Sequence, residues 1–368
     1  MKIRLLGEQK VIMSHPGNKH NYFGWPSIAR LQNGNIAVAA SGYRLSHICP
    51  FGKAVLSFSN DEGETYSAPV PIIDTVLDDR DAGLTPFGES GLILTSFNNT
   101  AEFQRRAAFT ADYQADSRTA ALKAYANAYL DLIDPEEEAA VLGSTFRISN
   151  DCGVTFGPLM RSPVSSPHGP TVLSDGTILW VGRLFEDVEG VTYIHAYRMN
   201  SDGTMERLGE IEDIWDEEGR FLSCEPHAIE LPDGRILCHV RVQRGGERLA
   251  FTIYQSESTD GGRTWTKPIP LLDRCGGAPA HLFLHSSGVL VCTYGYRLEP
   301  YGIRAMVSRD LGRTWETDLI LREGYPTRDL GYPATIELKD GSMLTIFYAK
   351  EEKQGPAVIM QQKWILED

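Results

Sequence analysis

The sequence predicts an all-β protein, a six-bladed β-propeller with a helical insertion in its second blade. Two patterns carry this prediction. A β-hairpin unit occurs six times along the 368 residues, and a short phrase built around an aspartate occurs four times. Self-similarity with a period of about 50 residues is typical of propellers, in which each repeat forms one four-stranded blade. We therefore expect residues 1–368 to fold as a single domain.

The hairpin unit consists of a short apolar strand, a turn that contains glycine and a strongly apolar second strand. The strands are rich in Val, Ile, Leu and Thr and are bounded by Gly, Asp and Asn, as β-hairpins are. A β-sandwich or a β-helix is the alternative, but neither requires a fixed repeat of this length. Successive turn glycines are 57, 85, 58, 54 and 53 residues apart. They are Gly34, Gly91, Gly176, Gly234, Gly288 and Gly341.

The long second interval contains a segment of different composition. Residues 101–141 are rich in Ala, Glu and Tyr, and Leu122, Tyr125, Tyr129 and Leu132 recur at helical spacing. This pattern predicts a helical insertion at about 101–141. A decoration that covers a blade edge and a lid over a site both fit it.

The aspartate phrase predicts a structural turn. SNDEGETY (59–66), SNDCGVTF (149–156), STDGGRTW (258–265) and SRDLGRTW (308–315) keep Ser, Asp, Gly, Thr and an aromatic at fixed offsets, and NSDGTM (200–205) is a degenerate fifth copy. An Asp-x-Gly turn lets the carboxylate and the hydroxyls bond to the exposed backbone. A catalytic loop is normally needed once, so we expect Asp260 to be structural.

Composition limits the classes of partner. The formal net charge is −14 and the pI is about 5.2, which disfavours binding to nucleic acid or anionic membranes through the overall field. No apolar run approaches the roughly 18 residues of a membrane span, and the first residues lack the apolar core of a signal peptide. We expect a cytoplasmic protein that binds neither nucleic acid nor membrane, and the oligomeric state stays open.

The six cysteines lie far apart and form no C-x-x-C pair. In a chain of this length without a secretion signal, we expect them to be reduced. The spacings that structural zinc sites need are absent. The sequence therefore predicts neither a metal nor a cofactor. The cysteines are Cys49, Cys152, Cys224, Cys238, Cys275 and Cys292.

Six units with repeated S-x-D-x-G-x-T-W phrases resemble the sialidase superfamily, where the phrase is called the Asp-box or BNR repeat. The resemblance covers nearly the whole chain. It implies a site on the central axis with a tyrosine nucleophile paired with a glutamate, an aspartate acid/base and three arginines on a substrate carboxylate. The segment DLGYPATIEL resembles the one that carries the nucleophile, which implies Tyr332. CEPHAIEL and HVRVQ imply Glu225 and Arg241, and YGIRAMVS implies Arg304 as the third arginine.

Two positions depart from the family pattern. The first strand reads FGWP where the family has Phe/Tyr-Arg-Ile-Pro, so Gly24 stands where the first arginine belongs. The acid aspartate should follow soon after Arg44, yet RLSHICPFGK contains no aspartate, and its nearest titratable side chain is His47. The segment DTVLDDRDAG supplies another candidate, because Asp79, Arg80 and Asp81 lie just before the second inner strand, at the same rim. We therefore expect the catalytic residues Tyr332, Glu225, His47 and Asp79.

The remaining candidates are substrate-binding residues at the ends of strands. An arginine near the axis of a propeller needs an anion, and bidentate guanidinium groups suit a carboxylate, sulfate or phosphate. Two histidines enter inner strands in PHGP and EPHA, whereas His281 is expected to be structural. The predicted substrate-binding set is Arg241, Arg304, Arg44, Arg80, His168, His227 and Arg297.

Three functions fit these residues. The first is a sialidase-like exo-glycosidase that cleaves a terminal acidic sugar. The second is a hydrolase or lyase directed at another acidic sugar such as a uronate, and the third is a non-catalytic carbohydrate-binding propeller. The retained Tyr, Glu and two Arg argue against the third function, and the missing Arg and Asp keep it open. All three imply a carbohydrate partner, and the arginines favour an acidic one.

Overall fold

The computed structural model describes residues 1–107, 117–200, 202–244, 247–276 and 279–367. Within them the chain forms six blades arranged as a propeller, each built on a meander of antiparallel strands, which confirms the predicted fold. The inner strands of the blades contact one another in a closed ring. Three helices lie between the second and third strands of the second blade.

The strands follow one another blade by blade. The chain begins with β1 (Lys2–Met13), and the first blade is β2 (Tyr22–Arg30), β3 (Ile36–Arg44), β4 (Lys53–Ser59) and β5 (Val70–Ile73). The second blade is β6 (Leu84–Phe87), β7 (Gly91–Phe97), β8 (Ser144–Ser149) and β9 (Met160–Ser162). The third is β10 (Val164–Ser165), β11 (Thr171–Val172), β12 (Ile178–Leu184), β13 (Ile194–Met199) and β14 (Met205–Ile211).

A short hairpin, β15 (Trp215–Asp216) and β16 (Gly219–Arg220), precedes the fourth blade. That blade is β17 (Leu222–Glu230), β18 (Ile236–Arg244), β19 (Glu247–Ser258) and β20 (Ile269–Pro270). The fifth is β21 (Ala280–Leu284), β22 (Leu290–Tyr296), β23 (Gly302–Ser308) and β24 (Glu316–Glu323). The last is β25 (Gly331–Glu337), β26 (Met343–Lys350) and β27 (Ala357–Glu367).

The two ends of the chain close the ring. The first strand, β1, pairs antiparallel with β27 and becomes the outermost strand of the last blade, with Leu5 opposite Trp364. Strands buried on both faces are needed where blades pack against each other, and this is why the second strands read as nearly continuous apolar runs. Ile28 and Val38 of the first blade, for example, share one buried cluster with Leu344 and Ile359 of the last.

The meander gives the propeller two distinct ends. Each inner strand begins at one end, which we call the entry end, and runs to a hairpin turn at the opposite turn end. Each second strand therefore returns to the entry end. The Asp-boxes, which connect third and fourth strands, lie at the turn end with the hairpin turns.

The Asp-boxes are hydrogen-bonded turns, as the sequence predicts. In the third complete copy, Asp260 accepts from the backbone N–H of Arg263 at 3.0 Å and of Thr264 at 2.9 Å. Its carboxylate also accepts from the hydroxyls of Ser258 at 2.9 Å and Thr264 at 2.6 Å. The copies at Asp61, Asp151 and Asp310 repeat the Ser and Thr contacts. In the degenerate copy, residue 201 lies outside the described residues.

Each Asp-box also holds two blades together. The residue after the box aspartate has a positive φ, and the glycine that follows packs against the preceding blade. Gly262 of the fourth blade faces Leu179 of the third, and Gly312 of the fifth blade faces Leu237 of the fourth. The box aromatic adds to this contact, since the Trp315 indole donates to a glutamine of the fourth blade at 2.9 Å.

The insertion predicted at about 101–141 consists of α1 (Ala101–Ala107), α2 (Ser117–Leu130) and α3 (Pro135–Val141), and residues 108–116 lie outside the described residues. It leaves the second blade at the entry end. Ala126 of α2 is fully buried and packs with Leu45 and Cys49 of the loop that follows β3. The Tyr125 ring stacks on Phe51 of the same loop at 5.1 Å. The described helices therefore support an entry-end loop of the first blade.

Across the described residues, no helix has both the length and the apolar character needed to cross a membrane.

Candidate active site

Four inner strands have a residue in the left-handed backbone region at or near their first residues. Trp25, Asp81, Glu225 and Tyr332 have φ between 49° and 52°, and each precedes a proline or an alanine. Non-glycine residues with positive φ are uncommon and cost free energy, so they persist where the surrounding structure enforces them, often at functional sites. Here the same local turn at four blades places four side chains at the entry end of the axis.

Tyr332 and Glu225 lie in direct contact. The Tyr332 hydroxyl donates to Glu225 Oε1 at 2.5 Å, and Arg241 Nη1 donates to the other carboxylate oxygen at 2.6 Å. Burial raises the pKa of Tyr332 well above its ordinary value, and the negative charges of Glu225 and Asp81 add to this effect. The phenol is therefore protonated at rest, with a carboxylate in place to accept its proton.

Two further arginines extend this group. The Arg297 guanidinium lies over the Tyr332 ring at 5.7 Å, and its Nη2 donates to the Tyr348 hydroxyl at 3.2 Å. Arg80 lies over the Trp25 ring at 4.4 Å. Among the described residues neither guanidinium has a carboxylate partner, so both are available to an anion.

The Trp25 ring forms the floor between Tyr332 and His47. It is 1% exposed, and ring centroids place it 6.4 Å from Tyr332 and 4.9 Å from the His47 imidazole. His47 therefore lies at the same site as the tyrosine. Burial lowers the pKa of His47, Asp329 opposes this shift, and Arg80 adds to it.

Asp81 is the buried carboxylate of the site. It is 7% exposed, and its Oδ1 is shielded from solvent without a hydrogen-bond partner. Burial raises the pKa of Asp81 to about 7; the charge of Arg80 opposes the rise and that of Glu225 reinforces it. A carboxyl group that titrates near neutrality and lacks a protein partner can either donate to or accept from a ligand.

The structure corrects the roles expected for Asp79 and Arg44. Asp79 is fully buried and accepts from the Thr75 backbone at 2.7 Å, the Thr75 hydroxyl at 3.0 Å and Asn98 at 3.3 Å, so it holds a loop and faces no substrate space. Arg44 is also fully buried, and both of its terminal nitrogens engage Asp78, at 2.5 and 2.9 Å. Its guanidinium carbon lies 4.7 Å from the centre of the Trp25 ring, and because the side chain is fully buried it cannot contact a ligand.

Arg304 lies elsewhere. Its side chain stacks on Tyr296 at 3.9 Å and reaches Asp318 of the neighbouring outer strand at 3.3 Å. No described contact joins it to Tyr332, Glu225 or Arg241. Arg297, and not Arg304, therefore lies beside the tyrosine, which corrects the assignment that the resemblance of YGIRAMVS implied.

His168, His227 and His281 form what we call the histidine cluster, with ring centroids 4.6–5.4 Å apart. The part of the chain that the structure describes shows no hydrogen bond or ring contact from this cluster to Tyr332 or Glu225. His227 Nδ1 accepts from the Leu282 N–H at 2.9 Å, so its neutral ring carries the proton on Nε2. A protonated Nε2 offers no lone pair to a metal, and no described group of three or more His, Cys, Asp or Glu could hold one. Substrate binding by His168 and His227 stays a prediction that these contacts do not support.

The position of the missing arginine is lined by aromatic rings. A Cβ added to Gly24 would lie 3.4 Å from the Tyr22 ring and 3.7 Å from the Tyr348 ring. The two hydroxyls point to charged groups, Tyr22 to Asp329 and Tyr348 to Arg297. The space beside Gly24 is therefore occupied by phenol rings.

Sequence reasoning missed Trp25, gave Asp81 no role beyond its position at the rim, and missed Asp329. A signal for the first two was present: Trp25, Glu225 and Tyr332 each stand nine positions before the turn glycine of their hairpin, and Asp81 stands ten before its own. Aligning the six units would have placed all four at one structural position. Asp329 carries no such signal.

A family comparison agrees with this architecture. The BNR repeat-like domain matches residues 135–346, which is more than half of the chain. The chain therefore belongs to the BNR repeat-like family. No curated protein sequence matches the chain significantly.

Solved structures share the fold at low sequence identity. A protein of unknown function from Dyadobacter fermentans DSM 18053 superposes with a TM-score of 0.76 at 19% identity, over 99% of each chain. The NanB sialidase from Streptococcus pneumoniae gives 0.68 at 12% identity, over 97% of this chain and 70% of that one. The intramolecular trans-sialidase from Ruminococcus gnavus gives 0.63 at 14% identity, over 97% of each chain. At these identities the likeness extends to the fold alone.

Proposed function

We propose that the chain is a glycoside hydrolase that removes a terminal acidic sugar, sialic acid or a related one, from a glycan. The observation that carries the proposal is the 2.5 Å hydrogen bond from Tyr332 to Glu225, whose second oxygen is bound by Arg241 at 2.6 Å. A neutral phenol is a weak nucleophile, and an adjacent carboxylate that takes its proton activates it. Arg241 holds that carboxylate in one orientation.

The chemistry runs in two displacements. The Tyr332 oxygen attacks the anomeric carbon as its proton passes to Glu225, and the bond to the leaving oxygen breaks. Water then displaces the tyrosine, which recovers its proton from Glu225. Two displacements at one carbon predict retention of configuration.

Arg80 and Arg297 support an acidic sugar. Both lie beside rings of the site and have no carboxylate partner among the described side chains. A guanidinium with no counter-charge inside a partly buried site gains most from an anionic ligand, because a carboxylate accepts two parallel hydrogen bonds from it. Asp81 is placed to bond a sugar hydroxyl at the bottom of the site.

A uronate is the second candidate for the sugar. The observation that favours it is the pair of tyrosine rings around Gly24, which fill the place of the family's first arginine. The cationic groups without a carboxylate partner among the described residues are then Arg80 over the Trp25 ring and Arg297 over the Tyr332 ring. These two arginines would bind a carboxylate at a different position from the one bound by the three converging arginines of the family.

The test is a panel of substrates with purified protein. Aryl glycosides and oligosaccharides of sialic acid, glucuronic acid and galactose separate hydrolysis of either acidic sugar from hydrolysis of a neutral one, and absorbance near 232 nm reports the unsaturated product of a lyase. Release of an acidic sugar that Tyr332→Phe abolishes supports the proposal. Binding of the same sugars in calorimetry without any turnover would show a carbohydrate-binding propeller and overturn it.

A further inference from the structure

Asp329 belongs to the site but has no part in the chemistry of Tyr332. It is 6% exposed and lies three residues before Tyr332. Its Oδ1 is 2.9 Å from Nδ1 of His47, and the Tyr22 hydroxyl donates to its two oxygens at 2.9 and 3.0 Å. The ammonium group of Lys350 lies 3.3 Å from Oδ2.

These contacts fix the orientation of the His47 ring. Burial alone would raise the pKa of Asp329, but His47 and Lys350 hold it well below the usual range, so Asp329 is an anion that only accepts hydrogen bonds. Nδ1 of His47 therefore carries a proton and donates it to Asp329. The Trp25 ring, edge-on at 4.9 Å, holds the other side of the imidazole.

Nε2 is consequently the atom of His47 that is free to react. It has no hydrogen-bond partner among the described residues, and it is not sealed from solvent as Nε2 of His168 is. The His47 side chain is 29% exposed. An imidazole with one nitrogen held by a buried carboxylate and the other open to the site is the arrangement of a proton-transfer group.

We propose that His47 transfers the proton of the leaving group and that Asp329 is the positioning residue that prepares it for this role. This inference rests on the proposed function. As the glycosidic bond breaks, its electron pair goes to the leaving oxygen, which takes the proton from Nε2 of His47. In the second displacement Nε2 takes a proton from the attacking water, and the cycle closes.

Exposure favours His47 over Asp81 as the proton donor. A leaving glycan extends out of the site, so its oxygen lies near the opening and its proton donor must reach that level. His47 is open to solvent on one side, whereas Asp81 is 7% exposed and interacts with Glu225 and Arg241 deeper in the site. Asp81 is better placed to bond the departing sugar than the leaving oxygen.

Neighbouring charges set the pH range of this step. A donor must be protonated, and burial places the pKa of His47 below its ordinary value of about 6.5. The kcat/KM of the free enzyme should therefore fall as pH rises through a value below 6.5. An acidic sugar between the arginines offsets their charge, so the same limb in kcat should lie at higher pH. The groups that face the ring are Asp329, Tyr22, Arg80 and Arg297, with Lys350 behind Asp329 and the Arg44 guanidinium on the His47 carbonyl.

The test compares two leaving groups on one sugar, a 4-nitrophenyl glycoside and a lactose conjugate of the acidic sugar that wild type cleaves. Nitrophenolate leaves without a proton, whereas the alkoxide of lactose needs one. His47→Gln should lower kcat/KM for the lactose conjugate by about 10²- to 10⁴-fold, the usual contribution of general acid catalysis, and for the aryl glycoside by less than tenfold. In His47→Gln, the fall of kcat/KM for the lactose conjugate at alkaline pH should also disappear.

Asp329→Asn tests the positioning role. Asp329→Asn should lower kcat/KM for the lactose conjugate at least tenfold more than for the aryl glycoside, a smaller difference than in His47→Gln. The reason is that the neutral asparagine no longer selects the tautomer of His47 with the proton on Nδ1. Asp79→Asn is the matched control, a buried aspartate of the entry end with no described contact to His47 or Tyr332, and it should leave the ratio of the two substrates unchanged. Melting temperatures show whether Asp329→Asn folds, and Tyr22→Phe, which removes only a hydroxyl from the same network, replaces it if it does not.

The outcomes separate the two proposals. Equal losses on both substrates in His47→Gln, or a leaving-group dependence that appears in Asp81→Asn instead, would overturn the role of His47 and Asp329 while the hydrolase proposal stands. If wild type cleaves no acidic glycoside at all, the proposed function itself is wrong, and the role of His47 fails with it.

Discussion

At the scale of single residues, Tyr332 and Glu225 should act as one unit. Tyr332→Phe removes only the hydroxyl, and Glu225 keeps its bond to Arg241, so folding should survive while kcat falls by several orders of magnitude. Because groups that work in one step are not additive, the double variant with Glu225→Gln should lose little more than the worse single variant. Kinetics of the two single variants and the double variant, with melting temperatures, check this; two modest and additive losses would mark both residues as structural.

Arg297 should contribute selectively to acidic substrates. Arg297→Ala leaves the carboxylate of the sugar with Arg80 as its remaining arginine. Loss of one partner of a buried charge pair typically costs about 2–5 kcal/mol, so kcat/KM should fall at least about tenfold. The matching neutral sugar has no charge to lose and should be affected much less.

Arg304→Ala is the matched control for Arg297, since Arg304 pairs with the exposed Asp318 on an outer strand. It should leave the ratio of acidic to neutral substrate unchanged. If Arg304→Ala and Arg297→Ala give the same selective loss, the placement of the anion beside Tyr332 is wrong.

These two arginines show where residue-level prediction from sequence ends. Tyr332, Glu225 and Arg241 could be found because each lies in a segment whose order and neighbours resemble the family. Arg304 is likewise implied by the resemblance of YGIRAMVS to a family segment, but whether a strand residue faces the axis depends on its register with neighbouring strands. The pair His47 and Asp329 joins the first blade to the last across 282 positions, and no local pattern reports such a contact.

At the scale of elements, the Asp-boxes should affect stability and not turnover. Asp260→Ala removes a carboxylate that accepts from Ser258, Arg263 and Thr264, and each bond is worth roughly 0.5–1.5 kcal/mol net. We expect a lower melting temperature and normal activity per folded molecule, since the box lies at the end opposite Tyr332. Asp260→Asn keeps one acceptor oxygen and should lose less. Activity lost at unchanged stability would contradict the structural role.

Helix α2 should affect both stability and turnover, because it packs against the loop that carries His47. Ala126 is fully buried against Leu45 and Cys49, so Ala126→Leu forces extra atoms into filled space, at a cost of about 1–3 kcal/mol, and displaces the loop. We expect a lower melting temperature and a reduced kcat.

Ala124 provides the control for this helix, since it is exposed on the same helix. Ala124→Leu should change neither stability nor kcat beyond a small effect. A destabilised Ala126→Leu with normal kcat would show that the insertion supports the second blade only and has no influence on the site.

At the scale of the whole molecule, the fold could be predicted because its information is local and repeated. Each hairpin turn and each Asp-box specifies its own geometry through bonds within about eight residues, and six copies leave few alternatives. The site could be predicted only in part, because it is assembled from strands and loops of five blades, and its contacts depend on the closure of the ring. The fold and the site meet at one repeated feature, the residue with positive φ near the start of an inner strand. The backbone turn there is the same in four blades, but the side chain differs in each: Trp25, Asp81, Glu225 and Tyr332.

The closed ring surrounds the histidine cluster, in which His168 is buried and His227 is half-buried, and this should make global stability depend on pH. Burial lowers the pKa of His227 to about 4, whereas an unfolded chain keeps the ordinary value of about 6.5. Between these values the unfolded state binds more protons, so the stability contributed by the neutral ring is complete above about 6.5 and is lost as pH falls towards 4. At pH 5 the loss from this one group is roughly 2 kcal/mol.

His227→Gln keeps an acceptor for the Leu282 N–H but does not titrate, so its unfolding free energy should fall less than that of wild type between pH 8 and pH 5. Denaturant titrations at both pH values measure the two differences, with pH 8 as the baseline for the substitution itself. If the unfolding free energy of both proteins falls equally between pH 8 and pH 5, protonation of His227 does not destabilise the folded state. The centre of the propeller would then be open to water at the histidine cluster.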